Sequence, residues 1–306
     1  MPTTTPDSTT HHATPDENPD FYRNCLTALS RKNADFVIGG AYALRHYTGI
    51  SRKTKDLDIF VRPRDCDGTL KILAQAGYRT EVVNAGWLAK AWGGSSFLDV
   101  IFRSGNGVAE VDDIWFKRAT YMELFGLRAV PVSPPEEVIW SKAFTMERER
   151  FDLADVAHMI QAQGQSLDWR HLIDRFGINW RVLLSYIVLF GFIFPGERDH
   201  VPSFVMEELT HRLKDEGTKP DGPVNICKGT LLSGSQYLVD TLYRGYQDAR
   251  FTEVKTMTAG QLVDWKRAIA RELDQRLADV GLTPPEAPSL ASDAFDVSDS
   301  AASVGT

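Results

Sequence analysis

Apolar positions in the first part of the chain change period several times. Over 21–32, Phe21, Cys25, Leu26 and Leu29 recur at helical spacing. Phe36-Val37-Ile38 is a short strand-like run closed by Gly39-Gly40, and 41–46 return to a helical pattern. In Asp56-Leu57-Asp58-Ile59-Phe60-Val61 acidic and apolar positions alternate. That predicts a strand with Leu57 and Ile59 in a core and both aspartates on the opposite face. A helix is expected over 65–76, with Asp65 as N-cap and Gly77 as stop. Strands are expected over 78–83, over 86–92 and through Phe97-Leu98-Asp99-Val100-Ile101-Phe102, followed by a turn at Gly105-Asn106-Gly107. A short β-like stretch over 127–132 ends in the cluster Pro131, Pro134 and Pro135.

Beyond the prolines the pattern is helical. Helices are expected over 134–144, 152–163, 168–176, 180–194, 203–214, 229–250 and 259–280, with a break at Pro195-Gly196 and an exposed loop over 215–223. The stripe Tyr237, Leu238, Leu242, Tyr243 and Tyr246 is expected to pack in a core rather than stack on bases. The fold class is therefore α+β: a mixed sheet with flanking helices, then a mainly α-helical C-terminal region. Four parts are expected: a disordered tail (1–20), a catalytic domain (21–132), a helical domain (133–282) and a second disordered tail (283–306), rich in small and acidic residues.

Composition narrows the context. A chain of 306 residues accommodates two modest domains. The net charge of −7 opposes a surface built for broad nucleic-acid binding. Positive charge nevertheless gathers around the acidic strand, with Arg45, Arg52, Lys53 and Lys55 before it and Arg62 and Arg64 after it. Cys25, Cys66 and Cys227 show no metal-ligand spacing, so a reducing cytoplasm is the expected location. The first 20 residues lack the apolar core of a signal peptide or anchor. The apolar run 182–194 falls short of the roughly 20 residues that span a bilayer, so it is read as a buried helix and no membrane is expected.

Candidate chemistry gathers at three places. Glycines opening a helix let an anion approach its first N–H groups. Asp56 and Asp58, projecting together, repel unless a cation lies between them, and magnesium takes carboxylate oxygens together with substrate phosphates. Asp99 stands inside an apolar run, where a carboxylate is costly unless paired or metal-bound. Taken singly, Gly-Gly marks ordinary turns and Asp-Leu-Asp a solvated strand edge; the ordered combination is what points to a site. Lys228-Gly229-Thr230 does not form a Walker-type loop, because its lysine precedes the glycine.

This order of Gly39-Gly40, a helix, Asp56-Leu57-Asp58 and a later strand acid resembles the nucleotidyltransferase superfamily that includes DNA polymerase beta. A second block, Pro134-Pro135-Glu136-Glu137-Val138-Ile139-Trp140-Ser141-Lys142 running into Arg148-Glu149-Arg150-Phe151-Asp152-Leu153-Ala154-Asp155, is similar to one in the AbiEii and MenT branch, known as toxins of bacterial toxin–antitoxin systems. The resemblance implies a nucleotidyltransferase-type sheet and a site with Asp56, Asp58 and Asp99 as ligands of two magnesium ions. It implies nucleotide contacts from Gly39, Gly40, Lys55 and Lys142, with Asp152 or Asp155 beside the lysine; a structural salt bridge is the alternative reading of those two. The implied partners are an NTP such as ATP, an acceptor (an RNA such as a tRNA end, a small molecule or a protein) and an antitoxin protein. A nucleotide-binding module without turnover is the remaining alternative. Two departures stand out: Ala41 replaces a serine or threonine of many relatives, and the stretch from Gly40 to Asp56 is longer than in the tightest form of the motif.

Overall fold

The computed structural model describes residues 18–216 and 225–253, with scattered positions from 260 to 278. In chain order the first elements are α1 (Pro19–Arg31), β1 (Val37–Ile38), α2 (Gly40–Thr48), β2 (Asp56–Phe60), α3 (Cys66–Gln75), β3 (Arg79–Asn84), β4 (Leu88–Gly93) and β5 (Ser96–Ile101). Next come α4 (Asp113–Lys117), β6 (Thr120–Leu124), β7 (Leu127–Val132), α5 (Pro135–Lys142), α6 (Leu153–Gln163), α7 (Trp169–Phe176), α8 (Trp180–Ile193) and α9 (Ser203–Glu216). Local chemistry explains the starts and stops. Asn18 accepts a hydrogen bond from the Phe21 N–H at 3.1 Å ahead of Pro19, and α2 ends at Gly49 in the left-handed region.

One mixed sheet of seven strands has the order β3-β4-β5-β2-β1-β7-β6. Strand β2 pairs parallel with β5 and antiparallel with β1, and β1 is parallel to β7. Its two faces bury different cores. Leu57, Ile59, Leu98 and Val100 pack with Leu26, Leu29 and Leu73 of α1 and α3. On the other face Val37, Leu44 and Phe60 share a core with Trp140, Ile160 and Ile187, so the helices beyond the proline cluster pack into the same core as the acidic face of the sheet. Each fully buried Leu or Ile there contributes about 1.5–3 kcal/mol over an exposed one. In α8, Leu183, Tyr186, Ile187 and Phe190 face that core, while Val188 and Phe192 point outward. By length and composition alone Trp169–Ile193 is apolar enough to cross a membrane, but α7 and α8 within it are separated by a 3-10 turn and bury their inner faces.

Two regions differ from the sequence reading. Helix α4 and strand β6 were not expected. The β6–β7 hairpin turns through Phe125 (φ 52°) and Gly126 (φ 76°), where such a turn usually carries Asn-Gly. The expected 229–250 helix does not form. Its place is taken by a 3-10 turn (Lys228–Leu231), α10 (Leu238–Tyr243), α11 (Ala249–Glu253) and a parallel pair of β8 (Ile226–Cys227) with β9 (Gln247–Asp248). Gly245, at φ 76°, interrupts the path, and Tyr237 and Tyr246 are exposed instead of packed in a core. The expected tails, the 215–223 loop and the 259–280 helix lie wholly or largely outside the described residues.

Candidate active site

Parallel pairing of β2 with β5 sets Asp58 directly opposite Asp99 and Asp56 opposite Phe97. The three carboxylates therefore converge on one face, and a ligand oxygen from each lies within 4.8 Å of the others. Leu57 and Ile59, fully buried behind them, pin the register, since a slip by one residue would turn every side chain over. Thr54 donates to Asp56 Oδ1 at 2.5 Å and holds that carboxylate in place.

The glycines do two different things. Gly39 donates its N–H to the Asp58 carbonyl at 3.0 Å, so that donor belongs to the β1–β2 ladder and is not free for a phosphate. An anion at this helix start would meet the N–H groups that begin at Gly40. Gly40 sits at φ +54°, and a Cβ there would stand 1.7 Å from Asp58 Oδ2. Only glycine lets the acid lie against the start of α2.

Across the cleft, Lys142 at the end of α5 donates to both Asp152 (3.2 Å) and Asp155 (2.8 Å). Arg150 also holds Asp152, and Arg52 pairs with Asp155. Burial pushes the Asp152 carboxyl up, but Lys142 and Arg150 outweigh it and hold it below the ordinary range. These groups, with the three acids and Gly40, line one cleft of about 540 Å³. Lys53 lines it as well; Lys55 is exposed where β2 begins and does not.

Lys90 and Thr54 were not singled out from the sequence. Lys90 lies opposite Asp99 across the β4–β5 hairpin, with Nζ 2.8 Å from Asp99 Oδ1. The signal was present: Gly93 pairs with Ser96 around Gly94-Ser95, and counting back from that turn brings Lys90 to Asp99.

The donor set fits a hard divalent cation: carboxylate oxygens only, convergent, and beside basic side chains suited to phosphates. Burial first, then the charges of Asp56 and Asp99, push Asp58 up to about 7, while Lys142 and Arg150 pull the other way. A raised folded-state pKa means the folded protein holds this proton more tightly than the unfolded chain does. The contribution of Asp58 to metal-free stability therefore increases as pH falls from about 7 toward the unfolded carboxylate value near 4. Asp58→Asn is expected to raise the melting temperature in EDTA by about 2–4 °C at pH 8. The gain should vanish by pH 4. Thermal melts at the two pH values check this, and a variant less stable than wild type at pH 8 would contradict it.

No family model matches the chain, and no curated protein matches it. Solved structures similar to it include the antibiotic-resistance factor ANT(2'')-Ia, at 18% identity over 55% of this chain and 95% of that one, with a TM-score of 0.39. The lincosamide antibiotic adenylyltransferase LnuA is similar at 14% identity over 46% of this chain and 94% of that one (TM-score 0.34). JHP933 from Helicobacter pylori is similar at 15% identity over 86% of this chain and 94% of that one (TM-score 0.33). Likenesses this distant assign neither an activity nor a substrate.

Proposed function

We propose that the protein is a metal-dependent nucleotidyltransferase, moving an NMP from an NTP to an acceptor hydroxyl. The observation that carries this reading is the convergence of Asp56, Asp58 and Asp99 beside the glycine start of α2, with Lys142 in the same cleft. Asp56, Asp58 and Asp99 would hold two magnesium ions, which when bound stabilise the attacking and leaving oxygens of an in-line displacement. The chain's own groups do the rest. N–H groups from Gly40 onward receive the outer phosphates, and Lys142, oriented by Asp152 and Asp155, neutralises charge on the departing pyrophosphate. Asp99, whose carboxyl is pushed up chiefly by burial, takes the proton of the acceptor hydroxyl as the new O–P bond forms and the bond to pyrophosphate breaks.

The acceptor we favour is an RNA end. Support comes from Arg52, Lys53 and Arg150 along the cleft and from the likeness of the 134–155 block to the AbiEii and MenT toxins, which would add an antitoxin partner and a cytoplasmic location. A small-molecule acceptor is the second reading, favoured by a cleft volume within the usual 300–1,000 Å³ of small-ligand sites. The test is incubation with labelled NTPs, magnesium and separated RNA, protein and metabolite fractions; label in the metabolites alone would remove the RNA reading.

Lys142→Ala is expected to weaken binding of a non-hydrolysable NTP about tenfold, and Lys142→Arg to recover only part of it. An ammonium is a compact point charge and a guanidinium a wide planar fork, so the two do not fit the same carboxylate pair. Calorimetric titration checks this; unchanged affinity in Lys142→Ala would reduce the residue to a structural ion pair.

A further inference from the structure

The positive charge around the three acids is distributed unevenly. Strand β2 has β1 and the glycine start of α2 on one side and β5 and β4 on the other. Asp56 accepts from the hydroxyl of Thr54, and Asp58 feels Lys142 and Arg150 through space. Asp99 alone among the three carries a lysine ammonium in ion-pair contact, Lys90 at 2.8 Å, among the described residues. That ammonium is penned in: its side chain is 16% exposed, and Nζ lies 3.8 Å from the centre of the Phe97 ring and 5.7 Å from that of Trp92. On the far side Glu81, opposite Lys90 on β3, is held by Arg79 at 3.0 Å.

We propose that Lys90 is the resident counter-cation of Asp99 and competes with the acceptor-side divalent ion for that carboxylate. The inference rests on the metal-dependent reading above. Two acids without such a partner, Asp56 and Asp58, then hold the first ion, on the triphosphate side. The second ion needs Asp99 and must displace or share with a tethered cation that does not diffuse away. A site arranged this way would hold its second position weakly until substrate phosphates add ligands, which limits attack by water on the NTP before an acceptor arrives. Lys90 thereby acts through Asp99, as a positioning residue.

The test is titration of the full-length protein with Mn²⁺ in the absence of nucleotide, followed by the electron paramagnetic resonance signal of the free ion. Wild type is expected to bind one ion in a tight phase and a second in a weaker phase. Lys90→Met keeps the unbranched stem against Phe97 and removes the charge, and should tighten the second phase about tenfold. Lys90→Gln should tighten it as well, which guards against a packing defect in one variant, and thermal melts establish that both fold. Adding Asp99→Asn to Lys90→Met should abolish the second phase. Identical second-phase affinity in wild type and both Lys90 variants would overturn the proposal, as would a tightened phase that survives Asp99→Asn. Absence of any Mn²⁺ binding in wild type would overturn the metal-dependent reading along with it, so the two failures are distinguishable.

Discussion

Asp58→Ala is expected to lower the transfer rate about 10³-fold or more at saturating NTP and magnesium, without unfolding the protein. Asp58 lines the cleft, and its neighbours Leu57 and Ile59 supply the buried contacts of the strand. The change therefore removes a carboxylate and no core volume. It also relieves repulsion with Asp56 and Asp99, so the metal-free variant should melt no lower than wild type. Loss of one preorganised electrostatic group at a reacting centre already costs 10²–10³ in rate, and loss of a carboxylate from the cluster that would hold the metal should cost at least the upper figure. Asp56→Ala should behave alike. Circular dichroism and turnover measured on the same preparation check the result; near-normal turnover in Asp58→Ala would remove the acids from the chemistry.

Gly40→Ala should be nearly as damaging, through geometry rather than charge. The new methyl group would fall 1.7 Å from Asp58 Oδ2, so either the carboxylate swings out of the cluster or α2 shifts away from it. Both outcomes separate the anion-facing helix start from the acids, and we expect at least about a 10²-fold loss of turnover, the scale of misplacing a reacting group by about an ångström. Left-handed backbone at φ +54° adds strain for alanine. Gly49→Ala separates the two causes, because Gly49 has φ +72° and open space where a Cβ would go. That variant should lose about 1 kcal/mol of stability and keep its turnover. Equal activity losses in the two variants would mean that backbone strain, not intrusion on Asp58, is responsible.

What could be read from the sequence follows the strength of each local signal. Alternation around Asp56 and Asp58, with an apolar residue between and after them, identifies both the strand and the shared face. Asp99 was legible because an acid in the middle of an apolar run needs a reason. The partner of Lys142 is open in the sequence between Asp152 and Asp155; both engage it, because Asp152 immediately precedes α6 and Asp155 lies in its first turn. Other features depended on information outside any short window. The β6–β7 hairpin was missed because Phe125 adopts a left-handed conformation that the sequence does not advertise. The 229–250 helix does not form although its aromatic spacing resembles a helical stripe, because Gly234 and Gly245 interrupt the segment, the latter at φ +76°. The Gly39 N–H looked available to a phosphate until the β1–β2 register committed it to the Asp58 carbonyl. A single core passes across the proline cluster from Leu44 to Trp140 and Ile160, a continuity that no short window of sequence carries.

Nucleotidyl transfer differs from phosphoryl transfer in which phosphate moves, and one paired measurement separates them. Wild-type protein, magnesium and an acceptor fraction are incubated with the same NTP labelled either at the α-phosphate or at the γ-phosphate. The expected result is α-label in the acceptor, γ-label released as pyrophosphate, and neither event when Asp58 is replaced by alanine. Transfer of γ-label to the acceptor, or α-label transfer that persists in Asp58→Ala, would contradict the account.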